Sequence, residues 1–198
     1  LRQTGRAFPH RLVAFCPVSL RGEGDSEAGT QASAMFVHLG EHEATVVERI
    51  KQVVTAMGAG KQELRSMSKD AAMTYAVALL GVAELTTATH IDRVTPPLAN
   101  MVISNVPGAR QQMYLNGAPL VGTFPVSAIA MSVGLNATLT SYNDRMDFGF
   151  VGNGATMYDL PELARHVQEA YEELRSAASK KRPTTQPRKS RSAPARCR

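Results

Sequence analysis

No tryptophan occurs among the 198 residues, and aromatic side chains make up only 6 % of them. A core must therefore rest on Leu, Val, Ile, Ala and Met. Cysteine is scarcer still. Cys16 sits in an apolar run and Cys197 near the C-terminus, a spacing that excludes a disulfide framework and suits a reducing, cytoplasmic setting. The five histidines stand apart from any Cys, Asp or Glu array. His38 and His42 are four residues apart, but Gly40 lies between them and they do not share a helix face. No metal site is expected from such spacing. A Gly-rich phosphate loop, a Gly-x-Ser-x-Gly elbow and a dinucleotide fingerprint are all missing.

Long apolar runs are absent too. The most apolar stretch, Ala71 to Leu85, is interrupted by Thr74 and Tyr75. It falls short of the roughly 20 apolar residues that a bilayer crossing needs, and a buried helix is expected there. No leader-type apolar region follows Leu1, and the first residue is not methionine. The chain is therefore expected to be a piece of a longer protein or a shortened gene product. Acids are missing from the end of the chain. Residues 180–198 carry Lys180, Lys181, Arg182, Arg188, Lys189, Arg191, Arg196 and Arg198 without one Asp or Glu, whereas residues 1–179 are mildly acidic. The net charge of +5 thus belongs to the tail. With Pro, Ser, Thr and basic residues the tail cannot bury enough apolar surface to fold. It has no aromatics on which bases would stack, so no specific nucleic-acid partner is expected. The division expected is a globular domain over 1–179 and a disordered basic tail over 180–198.

What is present alternates between strand and helix signals. Leu12 to Val18 and Ala34 to Leu39 read as strands flanking a Gly-, Ser- and acid-rich loop. From Glu43 to Met57 the apolar residues Val46, Val47, Ile50, Val53, Val54 and Met57 repeat at helical spacing, and Gly58 to Gly60 is expected to end that helix. Ser68 is placed to cap a second helix running to Thr87, with Asp70 in its first turn. Asn100 to Val106 reads as a strand ending at Pro107-Gly108. Short strands are then expected at Met113–Leu115, Leu120–Phe124, Val126–Met131, Leu135–Tyr142 and Met146–Val151, with turns at Asn116-Gly117 and Asn143-Asp144. Asp159-Leu-Pro-Glu162 looks like a capping box opening a last helix to about Ala178. The pattern predicts an α/β (α+β) domain: a mixed, largely antiparallel sheet with helices packed on it.

One region says more than its composition. Ser104-Asn-Val-Pro-Gly108 is followed in order by Tyr114-Leu-Asn-Gly-Ala118, Phe124-Pro-Val-Ser127, Leu135-Asn136, Ser141-Tyr142 and Asp147-Phe-Gly149, and is preceded by Cys16-Pro-Val-Ser-Leu-Arg21. This series resembles the C-terminal domain of the bacterial wax ester synthase/diacylglycerol acyltransferase family over roughly residues 9–177. The sequence departs from the family pattern at Ala109, where proline is usual, at Phe124, where tyrosine is usual, and at Asn153 to Ala155, where charges are usual. The family's active motif His-His-x-x-x-Asp-Gly and its Asn-Asp motif do not occur in 1–198.

The resemblance implies one half of a coenzyme-A-dependent acyltransferase fold of the chloramphenicol acetyltransferase kind. The substrates implied are acyl-CoA and a lipid alcohol, either diacylglycerol or a long-chain alcohol, with no further cofactor and no metal. The general-base histidine would come from the N-terminal half, in cis or in trans. By the same resemblance Ser127 is the candidate catalytic residue, steadying the oxyanion. Asn105, Val106, Pro107, Gly108, Pro125 and Asn136 are candidate substrate-binding residues, and Met101, Ile103, Ile129, Met131 and Leu139 would line an acyl tunnel or belong to the core. Asp147-Phe-Gly149 is expected to be structural. A peripheral association with membrane or lipid-droplet surfaces fits such substrates. Two other readings stay open: a non-catalytic binding or dimerisation module on the same fold, and an anion binder whose function lies in the basic tail.

Overall fold

A computed structural model describes residues 12–21, 31–41, 44–91, 97–129, 133–155, 157 and 159–180. Strands β1 (Val13–Ser19), β2 (Ala32–His38), β3 (Met101–Pro107), β6 (Leu135–Tyr142) and β7 (Arg145–Gly152) form one sheet in the order β2-β1-β3-β6-β7. A separate hairpin joins β4 (Tyr114–Leu115) to β5 (Ala118–Pro119), and the helices are α1 (Val46–Ser66), α2 (Lys69–Ala88) and α3 (Leu160–Lys180). The β1–β2 and β6–β7 pairs at the edges are antiparallel, as is the β4–β5 hairpin, while β3 runs parallel to both β1 and β6. The mixed, largely antiparallel sheet with helices on it is the class expected from the sequence.

Register sorts the side chains onto two faces, because alternate residues of a strand point opposite ways. One face carries Ala14, Cys16, Met35 and Val37, which pack with Leu64, Val53 and Met57 of α1 and with Met101 and Ile103. On the other face Phe15, Phe36, Ala34 and Val102 pack with Ala99, Val133 and Ile129. Met101, Ile103 and Ile129 are therefore core residues, while Met131 lies outside the described residues.

Pro17 sits inside β1 without breaking it. The Leu20 N–H donates to the Gln31 carbonyl (3.0 Å) and the Leu39 N–H to the Leu12 carbonyl (3.0 Å), so the even-numbered residues of β1 bond to β2. The odd-numbered ones turn toward β3: the Val13 N–H donates to Asn100 Oδ1 at 2.8 Å. Pairing with β3 is confined to Ala14 and Phe15. Pro17 thus lacks its N–H where the ladder no longer asks for one.

Three expectations fail. The first helix does not stop at Gly58 to Gly60 but continues to Ser66. Gly60 lies against β2, where a Cβ would come within 2.9 Å of Met35 Sδ, so contact with the sheet offsets the roughly 1 kcal/mol that glycine costs in a helix. The helix also starts later than Glu43, at Val46, behind the N-cap Thr45, whose side chain and that of Glu48 form a reciprocal capping box. Second, the stretch Ala71 to Leu85 is not buried. In α2, Ser33 Oγ donates to the Ala72 carbonyl at 2.8 Å, yet only Ala72 and Ala83 are buried and Val77 and Leu85 are 68 % and 62 % exposed. At 20 residues α2 is long and apolar enough, by length and composition, to cross a membrane. Third, Leu120–Phe124 and the described part of Val126–Met131 form no strands. That segment lies across a sheet face instead of joining its ladder.

Candidate functional site

After β3 the chain turns at Gly108. A Cβ there would stand 2.1 Å from the Ser141 carbonyl oxygen, and the Gly108 N–H donates to Ser141 Oγ at 3.2 Å. The β4–β5 hairpin follows, closed by Asn116 (φ 49°) and Gly117 (φ 81°), the left-handed pair a tight two-residue turn requires. Residues 120–129 then run back as an extended strap over the face that carries Asn136, Thr138, Thr140 and Tyr142.

Four contacts hold the strap. The Tyr142 hydroxyl accepts from the Met113 N–H (2.9 Å) and donates to the Leu120 carbonyl (3.0 Å). Arg145 Nη1 donates to the Val121 carbonyl at 2.9 Å. Asp147 Oδ2 accepts from the Thr123 N–H at 3.0 Å, and Gly149 lets the Pro125 backbone rest on the sheet. Val121, Thr123 and Pro125 advance in step with Arg145, Asp147 and Gly149, so this part of the strap follows β7. Val121, Phe124 and Val126 face outward, the last two 74 % and 86 % exposed, while Pro125, Ser127 and Ile129 are partly buried. No charged residue occurs between Arg110 and Asp144, so the strap itself carries only neutral side chains, and the charges beneath it, Arg145 and Asp147, are paired with each other at 3.3 Å.

Ser127 meets the sheet at Thr138, which is 2 % exposed. Thr138 Oγ1 stands 2.8 Å from Ser127 Oγ and 2.8 Å from Asn136 Oδ1. Asn136 Nδ2 donates to the Ala128 carbonyl at 2.9 Å, closing a ring that returns to the residue after Ser127. Asn136 and Thr138 share a face because they are two apart on β6. This alternation was visible in Leu135-Asn-Ala-Thr138, but Thr138 escaped notice because its role depends on a strap that is not part of the sheet.

The structure thus brings Ser127, Pro125 and Asn136 together, three of the seven residues singled out from the sequence. Val106 belongs to the same face, since it pairs with Thr140, and is half exposed. Asn105 and Pro107 pair with Leu139 and Ser141, so their side chains point to the opposite face. β3 stays in the ladder through Pro107, and strand alternation divides its side chains between the two faces. Leu139 also falls on the face away from Ser127. Asp147 and Gly149 have the structural role expected of them, as anchors of the strap.

A second concavity, about 350 Å³, opens between the end of β1 and the α1–α2 junction and is lined by Arg21, Lys61, Arg65 and Lys69 over Val18 and Leu64. It lies on the helix-covered face, away from Ser127. Among the described residues no group of three or more His, Cys, Asp or Glu side chains is placed to hold a metal ion. His166, on α3, stands 3.2 Å from both Glu162 and Glu169 on the exposed side of that helix.

Comparison with known proteins agrees with this architecture. The family model of the WS/DGAT C-terminal domain matches residues 28–175. Two proteins of Mycobacterium tuberculosis H37Rv named as diacylglycerol O-acyltransferases, Rv3740c and Rv3480c, are each 36 % identical, over 166 and 180 residues. These alignments cover 84 % and 89 % of this chain but 37 % and 36 % of the relatives. The wax ester synthase/diacylglycerol acyltransferase of Marinobacter aquaeolei VT8 superposes with a TM-score of 0.71 at 31 % identity, over 85 % of this chain and 38 % of that one. The chain therefore spans little more than a third of the length of the relatives it matches. By sequence and by fold it belongs to the wax ester synthase/diacylglycerol acyltransferase family and corresponds to that family's C-terminal domain.

Proposed function

We propose that this chain forms one wall of the active site of an O-acyltransferase that moves a fatty acyl group from acyl-CoA to diacylglycerol or a long-chain alcohol. The observation that carries the reading is the Ser127–Thr138–Asn136 network, set beside the exposed apolar side chains of the strap in a chain of this family. The proton-abstracting imidazole is supplied by another polypeptide segment bearing His-His-x-x-x-Asp-Gly, so the chain by itself is inactive.

In this scheme the imidazole takes the proton of the alcohol, and the alkoxide oxygen attacks the thioester carbonyl. The carbonyl oxygen becomes negative, and the Ser127 hydroxyl donates a hydrogen bond to it. Collapse of the intermediate breaks the carbon–sulfur bond, and the thiolate of coenzyme A recovers the proton from the imidazolium. No cofactor beyond the two substrates takes part. The exposed apolar residues of the strap and of α2 suit long acyl chains and a cytoplasmic enzyme resting on a membrane or lipid-droplet surface.

The test is reconstitution. The full chain is mixed or co-expressed with the His-His-x-x-x-Asp-Gly segment of a full-length relative, and transfer from fatty acyl-CoA to diacylglycerol and to a long-chain alcohol is measured. Transfer is expected only in the mixture, with Ser127→Ala lowering kcat about a hundredfold or more. A mixture that associates but never transfers overturns the reading and favours the non-catalytic module.

A further inference from the structure

The contacts around Thr138 carry a conclusion about the Ser127 proton. Thr138 has one hydroxyl proton and two oxygen neighbours at 2.8 Å. Asn136 Oδ1 can only accept, and the Asn136 amide is fixed in orientation by the bond from its Nδ2 to the Ala128 carbonyl. At rest, then, Thr138 gives its proton to Asn136, and Ser127 gives its own to Thr138. Ser127 in this arrangement has no proton left for an oxygen outside the protein.

A second arrangement is available without moving a heavy atom. The Thr138 proton turns from Asn136 to Ser127 Oγ, and the Ser127 proton is released outward. Its cost is an unpaired amide oxygen on Asn136, which is buried. Its gain is that a hydroxyl accepting a hydrogen bond is a stronger donor. The second arrangement is therefore reached only when a strong acceptor, such as a developing oxyanion, stands ready for the Ser127 proton.

We propose that Thr138 is a positioning residue for Ser127: a two-way hydroxyl that holds the serine proton inward at rest and backs it when negative charge appears on the substrate. This rests on the acyltransferase reading for its catalytic consequence, while the network itself can be tested on the chain alone.

On the full chain, thermal unfolding is compared for Ser127→Ala, Thr138→Val and the double variant. Thr138→Val is expected to lower Tm more than Ser127→Ala, because it strands the Asn136 oxygen. The double variant should lose little beyond Thr138→Val alone. Additive losses would overturn the shared network. In the reconstituted enzyme Thr138→Val is expected to lower kcat about tenfold, the size of one hydrogen bond removed from the transition state, with KM for the alcohol unchanged. Thr138→Ser should restore most of it. A Thr138→Val variant with unaltered kcat, or with only a raised KM, overturns the positioning role even if Ser127→Ala remains severe. A mixture without transfer sinks the acyltransferase reading and the catalytic role of Thr138 together, and the unfolding cycle then decides the network.

Discussion

Gly149 lies directly beneath Pro125, so close that a Cβ on the glycine would fall 1.8 Å from the proline carbonyl oxygen. Backbone on both sides of this contact leaves no flexible side chain to yield. Gly149→Ala should lift the strap from the sheet and cost about 2–3 kcal/mol. Urea unfolding of the variant measures the cost. A loss below about 0.5 kcal/mol would mean that the strap is free to shift.

Tyr142 anchors the other end of the strap. Its hydroxyl accepts from the Met113 N–H and from Gln112 Nε2 (3.0 Å) while donating to Leu120. In Tyr142→Phe these groups lose a buried partner, and about 1–2 kcal/mol of stability goes with it. Limited proteolysis should then cut more readily between residues 109 and 119. Unchanged cleavage would show that the hairpin is held by other contacts.

The capping box of α1 gives a pH-dependent expectation. Hydrogen bonds from the Thr45 hydroxyl and backbone hold the Glu48 carboxyl below its ordinary value of 4.5. A carboxyl with a depressed pKa in the folded state stabilises the protein above its unfolded value and loses that contribution as pH falls through the folded one. Thr45→Ala should therefore destabilise by about 1 kcal/mol at neutral pH, with the difference from the parent narrowing below about pH 4.5. Thermal melts at pH 7 and pH 3.5 test it, and a difference independent of pH would remove Glu48 from the account.

The exposed face of α2 predicts solution behaviour. Val77 and Leu85 sit far enough out that replacing both with glutamate should change stability by no more than about 0.5 kcal/mol each. Self-association and binding of an apolar dye should both fall. A parent chain that is monodisperse and binds no dye would show that this face needs no cover.

Much of this architecture was legible in the residue order. Leu135–Tyr142, the Asn116-Gly117 turn and the Ser68 cap all depend on neighbours within a few positions, where side-chain period, positive φ and a free N–H act directly. Gly58 to Gly60 misled because local propensity says stop, while Leu64 and the close approach to Met35 say continue. Asn105 and Pro107 are grouped with Ser127 by the Asn-Val-Pro-Gly motif, which is read along the chain, whereas neighbouring residues of a strand point to opposite faces.

The sequence by itself determined the family and the mixed sheet, because ordered motifs and hydrophobic period are properties of the chain read in one direction. Only the tertiary structure decided that residues 120–129 lie across the sheet instead of joining it, that Thr138 joins Ser127 to Asn136, and that α2 stands largely uncovered. Those outcomes depend on which backbone finds room on which face, a question of packing between segments distant in the chain.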